Sequence, residues 1–133
     1  MKESSALELY KMTKTGTAVD DASPHQLIAM LFDGALERVA SAMGAMKRKE
    51  PALVGESLSK AISIVDHLQL AIDHEIGGEM AHNLSALYDY ITRRMLEANV
   101  VSDVSLLQEV STLLAEVRLA WDQVPTELRA VPG

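Results

Sequence analysis

Apolar residues recur along this chain in alternating four- and three-residue steps, the spacing that paints one stripe on an α-helix. Ile28, Phe32, Ala35, Val39, Ala42 and Met46 form the first such stripe. Ser23 is a suitable N-cap before it, Pro24 suits the first helical position, and Gln26 can complete a capping box. These signals predict a helix over about 24–48, ended by Lys47-Arg48-Lys49-Glu50-Pro51. Val54, Leu58, Ala61, Val65, Leu68 and Ile72 repeat the rhythm and predict a second helix over about 52–75, with Gly77-Gly78 as its break. A third run, Met80, Leu84, Leu87, Ile91, Arg94 and Ala98, predicts a helix over about 79–99, with an arginine standing in the apolar row. After the turn Asn99–Asp103, with Ser102 or Asp103 as cap, Leu107, Val110, Leu114, Val117, Trp121 and Val124 predict a fourth over about 103–124, stopped by Pro125. Helices of about 20 to 25 residues, about 30 to 37 Å long, joined by short breaks must run antiparallel to their neighbours. The expected architecture is all-α, an antiparallel up-down-up-down four-helix bundle over 23–125. It is preceded by a partly flexible N-terminal arm over 1–22 and followed by a C-terminal tail over 126–133. No strand pattern, internal repeat or second domain emerges.

Composition agrees with that pattern and narrows the function. The chain has 133 residues, 48% of them hydrophobic but only 4% aromatic, so Ala, Leu, Val, Ile and Met supply the core. Twelve Lys and Arg against 19 Asp and Glu give a formal net charge of −7, which repels phosphate backbones and argues against nucleic acid as a partner. The absence of cysteine excludes disulfides, thiolate metal sites and a cysteine nucleophile. The opening MKESSALELYK is not a signal peptide, and no uncharged stretch is long enough to span a bilayer. A cytoplasmic protein without membrane insertion is expected.

Two local motifs invite a catalytic reading and neither supports it well. Glu79 and His82 form an E-x-x-H, the ligand spacing of di-iron bundles, but such sites need two of these motifs and two further inward glutamates. Ala81-His82-Asn83-Leu84-Ser85-Ala86 looks like the A-H-x-L-K-G of histidine phosphotransfer domains. Here Ser85 and Ala86 replace the lysine and glycine, removing the cation that favours a phosphoryl group. His25, His67 and His74 show no ligand spacing and are expected at the surface or its boundary. No enzyme, metal or cofactor is expected. What remains is apolar excess beside the seams, at Leu27, Leu31, Leu106 and Leu113, with Met30 lying well off its seam. Such residues either thicken the core or line grooves for a partner's helices. Leu87-Tyr88-Asp89-Tyr90-Ile91-Thr92-Arg93-Arg94 shows the same duality. Tyr88 shares the inward face with Leu84, Ile91 and Met95, whereas Asn83, Leu87, Tyr90, Arg94 and Glu97 form a second stripe beside it. That second stripe either edges a binding groove or forms a salt bridge to an acid on the next helix.

Three stretches, in order, are similar to the FliS-type flagellin export chaperones. ASPHQLIAMLFDGALERV (Ala22–Val39) resembles the family's opening A-S-P-x-x-L-I-x-M-L-Y-D-G-A, with Phe32 in place of the usual tyrosine. EIGGEMAHNLSALYDYITRRMLEAN (Glu75–Asn99) resembles its central G-G-E-x-A-x-N-L-x-x-L-Y-x-Y-x-x-x-R-L-x-x-A-N, and LLAEVRLAWDQV (Leu113–Val124) its closing L-L-x-x-L-R-x-A-W. The resemblance implies a monomer or weak homodimer in the bacterial cytoplasm. It would bind the disordered C-terminal segment of flagellin, prevent premature polymerisation and deliver it to the flagellar export apparatus. It also implies that the N-terminal arm, with apolar Leu7, Leu9, Tyr10 and Met12, shields part of the client surface. The client-binding residues it suggests are Tyr10, Leu27, Met30, Leu31, Asn83, Leu87, Tyr90 and Arg94. The competing reading is a generic helical adaptor or dimerisation module that binds another protein's helix.

Overall fold

The computed structural model describes residues 23–123. Four helices account for almost all of them: α1 (Pro24–Lys47), α2 (Pro51–Leu70), α3 (His74–Val101) and α4 (Val104–Asp122). α1 packs on α2 and on α4, α2 on α3, and α3 on α4, so the four close into a ring of antiparallel neighbours around one core. This is the all-α bundle expected from the apolar stripes.

Each helix begins where its sequence can satisfy free backbone N–H groups. Ser23 Oγ accepts from Gln26 N at 3.1 Å while Gln26 Oε1 accepts from Ser23 N at 2.8 Å, a complete capping box. α2 starts on Pro51 without a side-chain cap. Asp103, rather than Ser102, caps α4 by accepting from Ser105 N at 2.9 Å, and Ser102 takes the left-handed conformation that ends α3.

The break between α2 and α3 falls earlier than the glycine pair suggests. α2 ends at Leu70, not near residue 75, because Asp73 starts a new helix by accepting from Glu75 N at 3.0 Å and Ile76 N at 3.1 Å. Gly77 and Gly78 therefore lie inside α3, where they kink it. Gly78 has φ 54° and ψ −126°, a conformation almost restricted to glycine. Gly77 permits a close approach, since a Cβ there would lie 2.6 Å from the Ala81 methyl.

The core runs the length of the ring. Ala35, Val39, Ala42 and Ala45 of α1 meet Leu58, Ala61 and Val65 of α2, Tyr88, Ile91, Met95 and Ala98 of α3, and Leu107, Val110 and Leu114 of α4. Small side chains at Ala42, Ala45, Ser57 and Ala61 let α1 and α2 lie close together. Across the diagonal, the rings of Phe32 and Tyr88 meet at 6.5 Å. Burial raises the Tyr88 hydroxyl above its usual range, because the phenolate is poorly solvated there. Two seam assignments shift. Met80 is 78% exposed, and Ala81 takes the buried position instead, two turns ahead of Tyr88. Met95 is buried where the strict spacing falls on Arg94, which lets the arginine turn outward. Among the described residues no helix is long and apolar enough to cross a membrane.

Candidate functional site

The second stripe of α3 meets α4 in a connected polar network. Tyr90 donates its hydroxyl hydrogen to Glu109 Oε2 at 2.7 Å. Arg94 Nε reaches both the Tyr90 hydroxyl at 3.1 Å and Glu109 Oε1 at 2.9 Å, and its Nη1 donates to Glu97 Oε1 at 2.9 Å. The guanidinium also stands 5.4 Å from the centre of the Tyr90 ring. The hydrogen bond from Tyr90, and then those from Arg94, hold the Glu109 carboxyl below the ordinary glutamate range. The bonds to Glu97, Glu109 and Tyr90 in turn raise the Arg94 pKa further, so its charge is permanent. The salt bridge to an acid on the next helix therefore exists, and Glu109 is that acid.

Half-buried apolar residues continue this seam. On α3, Leu87 lies one turn before Tyr90 and two before Arg94 on the same stripe, with Leu84 beside it. On α4, Leu113 follows Glu109 by one turn and Leu106 precedes it by nearly one, and both are partly covered. The seam is thus an apolar row bridged by one polar clasp, with the exposed Asn83 at its lower edge.

The other expected client residues do not join that patch. Leu31 is 2% exposed and packs in the core. Leu27 and Met30 are partly buried against the core on α1, which is diagonal to α3 in the ring. Tyr10 lies outside the described residues, as do the arm and the C-terminal tail.

Sequence reasoning overlooked one clasp. His25, expected at the surface or its boundary, is 7% exposed because Trp121 stacks on it, with ring centres 4.6 Å apart and planes 7° from parallel. His25 Nε2 donates to the Trp121 carbonyl oxygen at 2.7 Å, and Trp121 Nε1 donates to the His25 carbonyl oxygen at 2.9 Å. Next to it Arg118 donates to Asp33 at 3.0 Å and pairs with Asp122. The only available signal was that a tryptophan in a helical seam needs an acceptor for its N–H. Glu79 and His82 are both exposed, and no group of three metal-ligating side chains occurs among the described residues.

The fold and these seams define a helical-bundle protein with a half-buried apolar row and a polar clasp between α3 and α4. Comparison with known proteins gives the family. A model described as Flagellar protein FliS matches residues 6–128. The chain is 46% identical over 119 residues to the flagellar secretion chaperone FliSB of Pseudomonas aeruginosa, covering 90% of this chain and 94% of that one. It is 44% identical over 125 residues to the flagellar secretion chaperone FliS of Salmonella typhimurium, covering 93% of each, and 32% identical over 106 residues to that of Bacillus subtilis, covering 80% and 78%. The chain belongs to the FliS family of flagellar secretion chaperones.

Proposed function

We propose that this protein is a cytoplasmic export chaperone that binds the disordered C-terminal segment of flagellin, keeps it from polymerising and hands it to the flagellar export apparatus. The observation that carries the reading is the α3–α4 seam, where Leu84, Leu87, Leu106 and Leu113 stay partly uncovered around the Tyr90–Arg94–Glu109 clasp. An unfolded client loses much conformational entropy when it docks, and a long apolar row is the feature that offsets this cost. A client helix laid along the row places its apolar face on the leucines. Asn83, Tyr90 and Arg94 at the edge then offer hydrogen bonds to its backbone or carboxylates.

Isothermal titration with a flagellin C-terminal peptide tests this directly. Saturable binding at micromolar concentration or tighter is expected, and its absence would favour the generic adaptor. Tyr90→Ala and Arg94→Ala should each weaken binding by about 1 to 3 kcal/mol, the size of a lost interface anchor. Both residues also brace α3 against α4, so thermal melts must accompany the titrations. Asn83→Ala, at an exposed position, separates lost contact from lost bracing. Unchanged affinity in all three variants would remove the seam from the client site.

A further inference from the structure

The side of the bundle away from the α3–α4 seam carries a different kind of surface. The C-terminal half of α1 and the N-terminal half of α2 enclose an open groove of about 290 Å³, lined by Arg38, Gly44, Arg48, Leu53, Glu56 and Lys60 among others. Residues 38–60 hold five cations, Arg38, Lys47, Arg48, Lys49 and Lys60, against two carboxylates, Glu50 and Glu56. That local positive excess sits in a chain of formal net charge −7. Arg48 pairs with Glu50, and Lys60 with Glu56 at 3.2 Å, both at exposed positions where ion pairs are weak and exchangeable. Among the described residues no carboxylate pairs with Arg38.

One glycine shapes the groove. A Cβ on Gly44 would stand 3.0 Å from Arg48 Nη1, so the missing side chain lets the guanidinium fold back over the α1 backbone. Glycine inside a helix costs about 1 kcal/mol relative to alanine, and here it makes room for a cation at the groove's edge. Leu53, 38% exposed, adds an apolar contact at one side.

We propose that this groove docks an acidic polypeptide segment of a partner protein, on a surface separate from the flagellin seam. Charge complementarity decides the occupant. A row of carboxylates on one short segment can meet Arg38, Arg48 and Lys60 while its apolar residues rest on Leu53 and Gly44. A nucleic acid or an anionic membrane extends far beyond the groove, where the chain's net charge of −7 opposes it. The docking reading does not depend on how flagellin binds.

The test is fluorescence anisotropy of a labelled peptide of alternating short Glu and Ala runs, about 12 residues or three helical turns long, titrated with the full chain. Saturable binding that weakens with added salt is expected. Arg38→Glu combined with Lys60→Glu should weaken it at least about tenfold, equivalent to about 1.4 kcal/mol. Gly44→Ala, which keeps every charge but displaces the Arg48 guanidinium, should weaken it by a smaller factor. Arg93→Glu, which makes half that charge change but on α3, should leave it unchanged. Circular dichroism verifies the fold, and the Arg38→Gln, Lys60→Gln pair replaces the reversal if that variant melts early. The proposal is overturned by lack of saturation, by an equal loss in Arg93→Glu, or by tighter binding of a single-stranded oligonucleotide or phosphatidylserine vesicles than of the peptide.

Discussion

Glu109 shows how much one side chain can organise at a helix–helix edge. Its two carboxylate oxygens receive Tyr90 and Arg94 separately, so the α3 stripe is held to α4 through one acid. The folded-state pKa of this carboxyl is depressed, so its contribution to stability is present above the unfolded glutamate value and is lost as pH falls through the lower folded value. Acidification from neutral should therefore leave the melting temperature little changed until about pH 4 to 5 and then lower it. In Glu109→Gln the part of that acid slope due to this residue should disappear, leaving a shallower profile. Melts of both proteins across the acid range check this, and parallel profiles would show that other carboxylates dominate. Asp103 belongs to the same acid-sensitive end, since its bonds to Ser105 also hold its pKa low.

At the scale of the element, α3 differs from its neighbours by carrying a kink at its start. The positive φ of Gly78 is a backbone demand, because nothing lies within 4 Å of where its Cβ would be. Gly78→Ala should then cost about 1 to 3 kcal/mol through strain alone, read as a lower urea midpoint with an unchanged slope. Gly77→Ala should also destabilise, for a different reason: its methyl would collide with that of Ala81. The kink swings the exposed Ile76 and Met80 clear of the core while Ala81 enters it. A straight helix through the glycines would have placed these residues differently.

For the molecule as a whole, the ring of helices is closed by the His25–Trp121 clasp between the start of α1 and the end of α4. Each ring covers the other and each residue accepts a hydrogen bond on its carbonyl, so the contact is mutual. Trp121→Ala should destabilise the bundle by about 3 to 5 kcal/mol, the usual range for truncating a packed tryptophan. Trp121→Phe, which keeps a ring but loses the N–H, should cost about 1 kcal/mol. Denaturation followed by circular dichroism measures both. In the parent chain the single tryptophan makes intrinsic fluorescence a direct reporter of the clasp. If fluorescence and dichroism change together on unfolding, the clasp opens only with the bundle. The α3–α4 seam and the α1–α2 groove lie on opposite sides of this closed ring.

Much of this was legible in the amino-acid order because it depends on local rules. The four- and three-residue spacing located the helices and nearly all of the core, since a helix can bury only one face. The Ser23 capping box, and a cap at Ser102 or Asp103, followed from which backbone groups are free at helix ends. The family was readable in three ordered stretches. The spacing also put Tyr90 and Arg94 on one stripe beside Tyr88, but left open whether that stripe met an acid or a partner. Tertiary structure decided that Glu109, 15 residues beyond Arg94, closes the stripe. It also buried Leu31 while leaving Leu27 half-covered, and it enclosed His25 beneath a ring 96 residues away. These outcomes depend on which helices become neighbours and at what height they align. A periodic pattern says which face turns inward, and only the packed bundle says what stands opposite each edge.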